Sequence, residues 1–302
     1  MNAESRVTAE HAGMRLDRYI AEVMEIASRS RLKHYELSAR VAGTPAKMSR
    51  KLEEGDTVSV EYTEPPGTEI EPEDIPLDII YEDEDVIVVD KPRGMVVHPG
   101  AGNRSGTLVQ GILHHCSRQA AEFSDEPLRP GIVHRLDKET SGVIIVAKNK
   151  RAHEYLSSQF RRRKTKKRYI AIVKGEIRHT GGTIDHPVAR DRNHRKRFTW
   201  TRPDGKQALT RYKVVKRFPG YTLVLLAPKT GRTHQLRVHM FSENYPILGD
   251  PVYGRKDHRF PDAGLMLHAS ALTIRLPEDR EEHTFKAPMP KRFHDILIEL
   301  DR

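Results

Sequence analysis

A proline-rich, acidic segment at residues 64–76 most constrains how this chain of 302 residues can fold. The segment reads EPPGTEIEPEDIP, and its four prolines and five acidic residues support neither helical periodicity nor strand alternation. We interpret it as a linker. It predicts a small module at about residues 13–63 and a larger domain at residues 77–302, because single hydrophobic cores stop growing at about 250–300 residues.

The small module has the pattern of two short helices followed by strands. Apolar residues recur at the spacing of one helix face over residues 16–24, and serine hydroxyls at 28 and 30 can cap a second helix through Leu32 and Tyr35. Strand signals follow at residues 40–41 and 56–62. The module therefore combines helices with a small sheet.

The larger domain has a mixed pattern of helices and strands. Residues 86–89 indicate a strand, 91–94 a turn and 95–97 its return, which together predict a hairpin. A helix face is expected at residues 152–160. The remaining strands are expected at residues 143–147, 169–173, 212–215, 221–226 and 272–276.

The charge of the chain favours a polyanionic partner. It carries +10 at neutral pH, and its cations cluster at residues 161–168 (RRRKTKKR) and 190–197 (RDRNHRKR). No apolar run is long enough for a membrane span, and the N-terminus lacks the features of a signal peptide. The single cysteine, Cys116, excludes an internal disulfide. We therefore expect a cytoplasmic protein without a membrane partner.

The most informative stretch is residues 131–148 (GIVHRLDKETSGVIIVAK), where a polar loop runs into an apolar strand. A loop anchored by a rigid strand is a usual place for catalytic groups. Alternatively, Asp137 and Thr140 bond to the local backbone of an ordinary turn, and spacing alone favours this second interpretation.

Residues 134–142 (HRLDKETSG) closely resemble the signature of the pseudouridine synthases that modify large-subunit ribosomal RNA. Residues 167–177 (KRYIAIVKGEI), 231–240 (GRTHQLRVHM), 249–254 (GDPVYG) and 267–269 agree with the same family, in the same order. The resemblance implies an α+β fold with a mixed, largely antiparallel-sheet catalytic domain. It also implies conversion of specific uridines to pseudouridine in 23S ribosomal RNA, without a cofactor.

The N-terminal part resembles the α-L RNA-binding module that many of these synthases carry. Its matching segments are MRLDRYIAEV, SRSRLKHY and EEGDTVSV. Where the family usually has Val-Asn-Gly, this chain has Val41, Ala42 and Gly43.

The resemblance also implies roles for individual residues. Asp137 is expected to be the essential carboxylate, as a nucleophile or as a base that takes a ribose proton; the sequence leaves both open. Tyr169 is expected to stack on uracil and take the proton from carbon 5, although a core aromatic fits the strand equally well. Arg237 is expected beside Asp137 to keep the carboxylate charged.

Other residues are expected to bind the substrate. A target base inside folded RNA must be flipped out, and the planar guanidinium of Arg135 suits the gap that it leaves. His134 is expected to orient the loop. The remaining substrate-binding candidates belong to the third motif, with Arg232 placed for phosphate: Arg232, Thr233, His234 and Gln235.

Metal catalysis is not expected. His234 and His239 are five residues apart, and the sequence contains no HExxH motif. We expect a monomeric enzyme that binds RNA, without metal or cofactor. The main rival is a non-catalytic RNA-binding or ribosome-assembly factor, which the combination of Asp137, Tyr169 and Arg237 disfavours; a metal-dependent nuclease would need a carboxylate cluster.

Overall fold

The computed structural model describes residues 1–27, 32, 35–63, 70–100, 102–117, 120–124, 129–194, 196–279 and 281–302. The chain forms two compact units, Met1–Thr68 and Glu69–Arg302. Within the described residues, no helix is long and apolar enough to cross a membrane.

The smaller unit packs helix α1 (Leu16–Glu22) against a sheet. Its antiparallel strands are β1 (Asn2–Arg6), β2 (Glu36–Val41), β3 (Thr44–Pro45) and β4 (Thr57–Thr63), in the order β1-β4-β2-β3. Strand β1 precedes the predicted start of the module at residue 13. The predicted second helix falls mainly on residues 28–31 and 33–34, outside the described residues, and Leu32 beside them is buried in the core of this unit.

The larger unit is built on a sheet that has nine strands within the described residues, in the order β5-β6-β7-β14-β8-β13-β12-β9, with β15 also paired to β14. Every ladder of this sheet among these residues is antiparallel except that of β7 with β14. The strands are β5 (Ile79–Glu82), β6 (Val86–Lys91), β7 (Ser141–Ala147), β8 (Lys166–Lys174), β9 (Gly181–Asp185), β12 (Leu209–Phe218), β13 (Tyr221–Pro228), β14 (Leu267–Arg275) and β15 (Glu282–Lys286). The α+β class and largely antiparallel sheet are confirmed.

Helices cover this sheet, and a small hairpin extends from it. The helices are α2 (Leu108–Cys116), α3 (Ala120–Phe123), α4 (Lys150–Arg161), α5 (Gln235–Ser242) and α6 (Lys291–Leu300), and the hairpin is β10 (Ala189–Arg190) with β11 (Phe198–Thr199). Helix α4 confirms the predicted helix face, and Ala152 and Leu156 on that face are fully buried.

The predicted hairpin at residues 86–97 is wrong. Strand β6 pairs with β5 on one side and β7 on the other, so no edge is left for a returning strand. Residues 95–97 instead leave the sheet, and Val97 enters the core beneath α2.

Part of the predicted linker packs against the larger unit. Residues 64–69 lie outside the described residues, but Ile70 is buried, and the Glu73 carboxylate accepts a hydrogen bond from the Gly106 backbone at 2.6 Å. A Cβ on Gly111 of α2 would lie 3.2 Å from Ile75. The described part of the segment, residues 70–76, therefore lies along α2 of the larger unit.

Candidate active site

The predicted site residues meet around one cavity of about 460 Å³ in the larger unit. The loop before β7 contributes one wall, β8 a second, and residues 228–237 a third. All nine predicted residues line this cavity: Asp137, Tyr169, Arg237, His134, Arg135, Arg232, Thr233, His234 and Gln235. Segments far apart in sequence thus build a single site.

Asp137 owes its position to the strand that follows it. Strand β7 is buried along its whole length, which fixes the end of the loop. Gly142 lies at φ +115°, and a Cβ there would be 2.3 Å from the carbonyl oxygen of Ala269. Only glycine therefore allows β7 to approach β14 closely enough to hold the loop.

Lys91 supports the same loop from below. Its ammonium is fully buried and donates to the carbonyls of Pro92 (2.8 Å), Met95 (2.9 Å) and Lys138 (3.3 Å). Burial lowers the pKa of Lys91 to about 8, although the charges of Asp137 and neighbouring acids oppose the shift. The lysine joins the end of β6 to the residue that follows Asp137.

Arg237 lies between two carboxylates. It forms a bidentate pair with Asp250, with both hydrogen bonds at 2.7 Å, and its Nη1 lies 3.6 Å from Oδ2 of Asp137. Burial alone would lower the pKa of Arg237, but the hydrogen bonds and charge of Asp250, together with the charge of Asp137, raise it. The guanidinium is therefore a permanent cation, oriented by Asp250 and directed at Asp137.

A second chain of contacts reaches Asp137 through a histidine. Nε2 of His234 lies 3.9 Å from Oδ2 of Asp137, and its Nδ1 is hydrogen-bonded to the Tyr253 hydroxyl at 2.9 Å. That hydroxyl also accepts from the backbone N–H of Phe198 in β11, at 2.9 Å. Burial lowers the pKa of His234, which favours the neutral ring. These contacts join the site to the β10–β11 hairpin, which carries the basic cluster at residues 190–197.

Tyr169 packs between two hydrophobic clusters of the larger unit while it lines the cavity. Among the described residues, its hydroxyl has no intramolecular hydrogen bond. Burial, and secondarily the charge of Asp137, raises the pKa of the phenol. The group therefore stays protonated and neutral in the free enzyme. Tyr169 is therefore packed against the core and is also part of the cavity wall.

Two of the predicted binding residues have their polar atoms engaged within the protein. Nε2 of His134 accepts from the Ile145 backbone at 3.1 Å, and its ring stacks on Phe160. Burial lowers the pKa of His134 to about 3, so the ring is neutral. The Gln235 amide forms four hydrogen bonds, with Thr230, Thr210 and the backbones of Arg232 and Leu209. Gln235 therefore braces the wall through its whole amide, while His134 is fixed through one ring nitrogen and its stacking on Phe160.

Cations dominate the cavity. Arg135 and Thr233 are exposed at its mouth, and Nε of Arg232 donates to the Gln207 carbonyl at 3.2 Å. Among the described lining residues, one carboxylate, Asp137, faces seven lysines and arginines: Arg135, Arg161, Arg163, Lys167, Lys229, Arg232 and Arg237. Such a cavity suits a polyanionic substrate that brings its own phosphates.

Four residues that line or support the cavity had no assigned role in the sequence analysis. Asp250 and Tyr253 belong to the GDPVYG segment, which was noted only for its resemblance, while Lys91 and Lys167 were part of a turn and a basic run. The one available signal was the acidic residue in GDPVYG, because a buried arginine needs a carboxylate partner.

The mixed sheet and the cationic cavity fit an enzyme that acts on RNA, and comparison with known proteins agrees. A family model described as RNA pseudouridylate synthase matches residues 85–242. The chain belongs to this family, and it catalyses the isomerisation of uridine in RNA to pseudouridine.

Similar proteins cover nearly the whole chain. An uncharacterized RNA pseudouridine synthase, YlyB, of Bacillus subtilis is 42% identical over 96% of this chain and 95% of its own length. The ribosomal large subunit pseudouridine synthase D of Borreliella burgdorferi is also 42% identical, over 95% of this chain and 89% of its own. The solved structure of human RNA pseudouridylate synthase domain containing 4 has a TM-score of 0.58 at 27% identity, and covers 74% of this chain and 92% of its own.

Proposed function

We propose that this enzyme isomerises specific uridines of large-subunit ribosomal RNA, with Asp137 as the essential carboxylate. The observation that carries the proposal is the placement of Asp137 in a cationic cavity, 3.6 Å from an arginine that Asp250 orients. The names of similar proteins, including synthase D of Borreliella burgdorferi, support ribosomal RNA as the substrate.

The reaction needs no external atoms or electrons. The bond from N1 of uracil to C1′ of ribose breaks, the base turns, and C5 bonds to C1′. The proton on C5 leaves, and N1 gains one. Asp137 can begin this sequence by attacking C1′ or by taking a ribose proton, and either role needs an ionised carboxylate beside a fixed cation.

In this scheme Tyr169 lies against the uracil and helps to remove the C5 proton. A phenol that is held neutral can accept this proton only while it passes its own proton to another acceptor. Asp137 is the carboxylate whose charge acts on Tyr169. Both residues line the same cavity, and the proton that the phenol passes on can reach N1 of the base, which gains one in the reaction, while Arg237 holds a fixed charge beside Asp137.

The substrate base enters the cavity after it leaves the RNA stack. Arg135 is exposed at the mouth, two residues from Asp137, where its planar guanidinium can fill the gap in the RNA. Arg232 and Thr233 lie on the same rim for phosphate and sugar contacts. The basic runs at 161–168 and 190–197, and the N-terminal unit, supply contacts to phosphates that do not depend on sequence.

The nine predicted site residues of one chain already meet around one cavity, and we propose that the enzyme acts as a monomer. His134, His234 and Gln235 act in it as positioning residues, because each forms hydrogen bonds to neighbouring residues of the protein. A ribosomal substrate implies that the enzyme works in the cytoplasm.

The test is to map pseudouridine in ribosomal RNA from cells that contain the wild-type protein, the Asp137→Asn variant or no protein. We expect wild type alone to produce the modified positions, since the variant loses the charge but little volume. RNA affinity of the variant, measured by filter binding, should stay within about twofold because phosphate contacts dominate affinity. Modification by Asp137→Asn at the wild-type level would remove Asp137 from the chemistry. Equal ribosomal RNA maps with and without the protein would overturn the proposed substrate.

A further inference from the structure

Strand β8 carries a lysine that the reaction described above does not use. Lys167 precedes Tyr169 by two residues, so both side chains lie on the cavity face of the strand. Its ammonium donates one hydrogen bond, to the carbonyl of Thr230 at 3.3 Å. In the part of the chain that the structure describes, no carboxylate pairs with it.

The other lysines of β8 are neutralised. Lys166, on the opposite face, pairs with Glu282, and Lys174 pairs with Asp257 at 2.9 Å. Lys167 is less exposed than Lys166, and burial lowers its pKa to about 8 with no acidic neighbour to offset the effect. A charged group removed from water is costly unless an opposite charge compensates it. The positive charge of Lys167 therefore lacks a compensating negative charge, which an anionic ligand could provide.

The surroundings of this ammonium leave room for such a ligand. Gly231 approaches it without a side chain, and a Cβ there would lie 3.5 Å from Nζ. The neighbouring His134 ring is neutral and bonded to the backbone, so it provides no charge. Arg161 and Arg163, which line the same cavity, are exposed to solvent, whereas Lys167 is half-buried.

We propose that Lys167 forms a phosphate subsite that binds the phosphodiester next to the uridine in the cavity. The proposal rests on the proposed function, because a flipped nucleotide carries this singly charged anion into the site with its base. The ammonium bonds to a non-bridging oxygen of the linkage, which supplies the missing charge. Binding of this phosphate then fixes the ribose relative to Asp137.

The experiment measures whether Lys167 and one particular phosphate act together. The probe is a fluorescent pentaribonucleotide with one central uridine. In two variants of this probe, the linkage on the 5′ side or the linkage on the 3′ side of that uridine is replaced by a neutral methylphosphonate. Dissociation constants are measured by anisotropy for wild type, Lys167→Met and the matched control Lys166→Met. Lys166 is adjacent in sequence, carries the same charge and faces away from the cavity.

We expect one of the two replacements to weaken binding to wild type by about 10- to 100-fold, the range of a charge-assisted hydrogen bond. The same replacement should change binding to Lys167→Met by less than about twofold. Lys166→Met removes one cation of the same basic run and lowers overall affinity, but it keeps the wild-type sensitivity to that replacement. Equal loss in wild type and Lys167→Met, for both linkages, would overturn the proposal. If Lys167→Met does not fold, Lys167→Arg serves in its place: it keeps the cation and must keep the sensitivity to that linkage, and insensitivity would also overturn the proposal.

The phosphate subsite and the proposed function can each fail without the other. The linkage test measures binding alone and gives a result whether or not the probe is modified. A wild-type enzyme that leaves ribosomal RNA unmodified contradicts the substrate, whereas lack of coupling in an active enzyme contradicts only the phosphate subsite.

Discussion

Asp250 fixes the position of the charged side chains at this site. This carboxylate is fully buried and accepts hydrogen bonds from the backbones of Val252 and Tyr253 as well as from Arg237. Arg237 is held by it and meets Asp137 at the edge of the cavity. Asp137, the carboxylate that we propose to react, is therefore the most accessible of these three side chains, and the other two are fixed by their hydrogen bonds.

Removing Asp250 should disable the site and weaken the fold. Asp250→Ala leaves the buried guanidinium without its bidentate partner, so we expect the free energy of unfolding to fall by about 3–5 kcal/mol. Turnover should fall sharply as Arg237 loses its orientation, and Arg237→Met should lower it severely as well. Denaturant titration and pseudouridine assays measure the two effects. Asp204→Ala, which breaks an exposed pair with Arg202, is the control and should change neither; normal turnover in Asp250→Ala would refute this ordering.

Replacing Tyr169 separates the hydroxyl from the ring. Tyr169→Phe keeps the packing against both core clusters and breaks no hydrogen bond within the described structure, so the melting temperature should hardly change. Turnover should slow by about 10²–10⁴-fold if the hydroxyl takes part in proton transfer. Single-turnover rates decide this, with Tyr155→Phe, at an exposed position of α4, as control. Unchanged turnover would restrict Tyr169 to packing or stacking.

At the scale of elements, the sequence predicted those helices and strands that depend on residues close together in the chain. Strand β7 and helix α4 followed directly from a continuous apolar run and a helical period. The false hairpin at 86–97 arose because pairing depends on partners distant in sequence: β6 meets β7, more than 50 residues later along the chain. The Arg237–Asp250 pair joins α5 to the segment that follows it, 13 residues along the chain, and the acidic residue of GDPVYG by itself did not show that the two side chains meet.

The turn between β2 and β3 is under conformational strain in this chain. Ala42 and Gly43 form a two-residue hairpin connection, and both have positive φ, +49° and +76°. Type I′ turns of this kind favour Asn-Gly, because a left-handed conformation costs other residues about 1–2 kcal/mol. The departure from Val-Asn-Gly seen in the sequence therefore has a structural cost.

Restoring asparagine should recover part of that cost. We expect Ala42→Asn to raise the free energy of unfolding of the smaller unit by about 1 kcal/mol. Hydrogen exchange of the β2 and β4 amides in the full chain measures it. Ala42→Val, a β-branched residue at positive φ, should have the opposite effect. Equal exchange in all three proteins would show that this turn does not limit the stability of the unit.

At the scale of the whole molecule, the proposed function divides labour between the two units. The catalytic cavity belongs entirely to Glu69–Arg302, while the smaller unit and the basic clusters offer contacts for phosphates. Phosphate contacts raise affinity in a salt-dependent way, whereas recognition of the base occurs in the cavity. Affinity and chemistry are therefore expected to separate.

Deleting residues 1–63 tests this separation. We expect weaker binding to long structured RNA and a shallower dependence of affinity on salt, with measurable single-turnover chemistry at saturating enzyme. Tritium release from 5-tritiated uridine in ribosomal RNA reports the chemistry, and binding at several salt concentrations reports the contacts. A truncated protein that folds and binds RNA fully but cannot react would show that the smaller unit helps to build the active site.

The position of β14 in the larger sheet also affects the order in which the enzyme is completed during translation. Strands β5 to β7 and β8 to β13 leave the ribosome first, while the place between β7 and β8 is still vacant. Until Leu267–Arg275 has emerged, the two part-sheets expose inner edges that other chains could pair with. The strand that joins them is synthesised late, so a nascent chain that stops short of it contains Asp137, Tyr169 and Arg237 but has no complete sheet to hold them together.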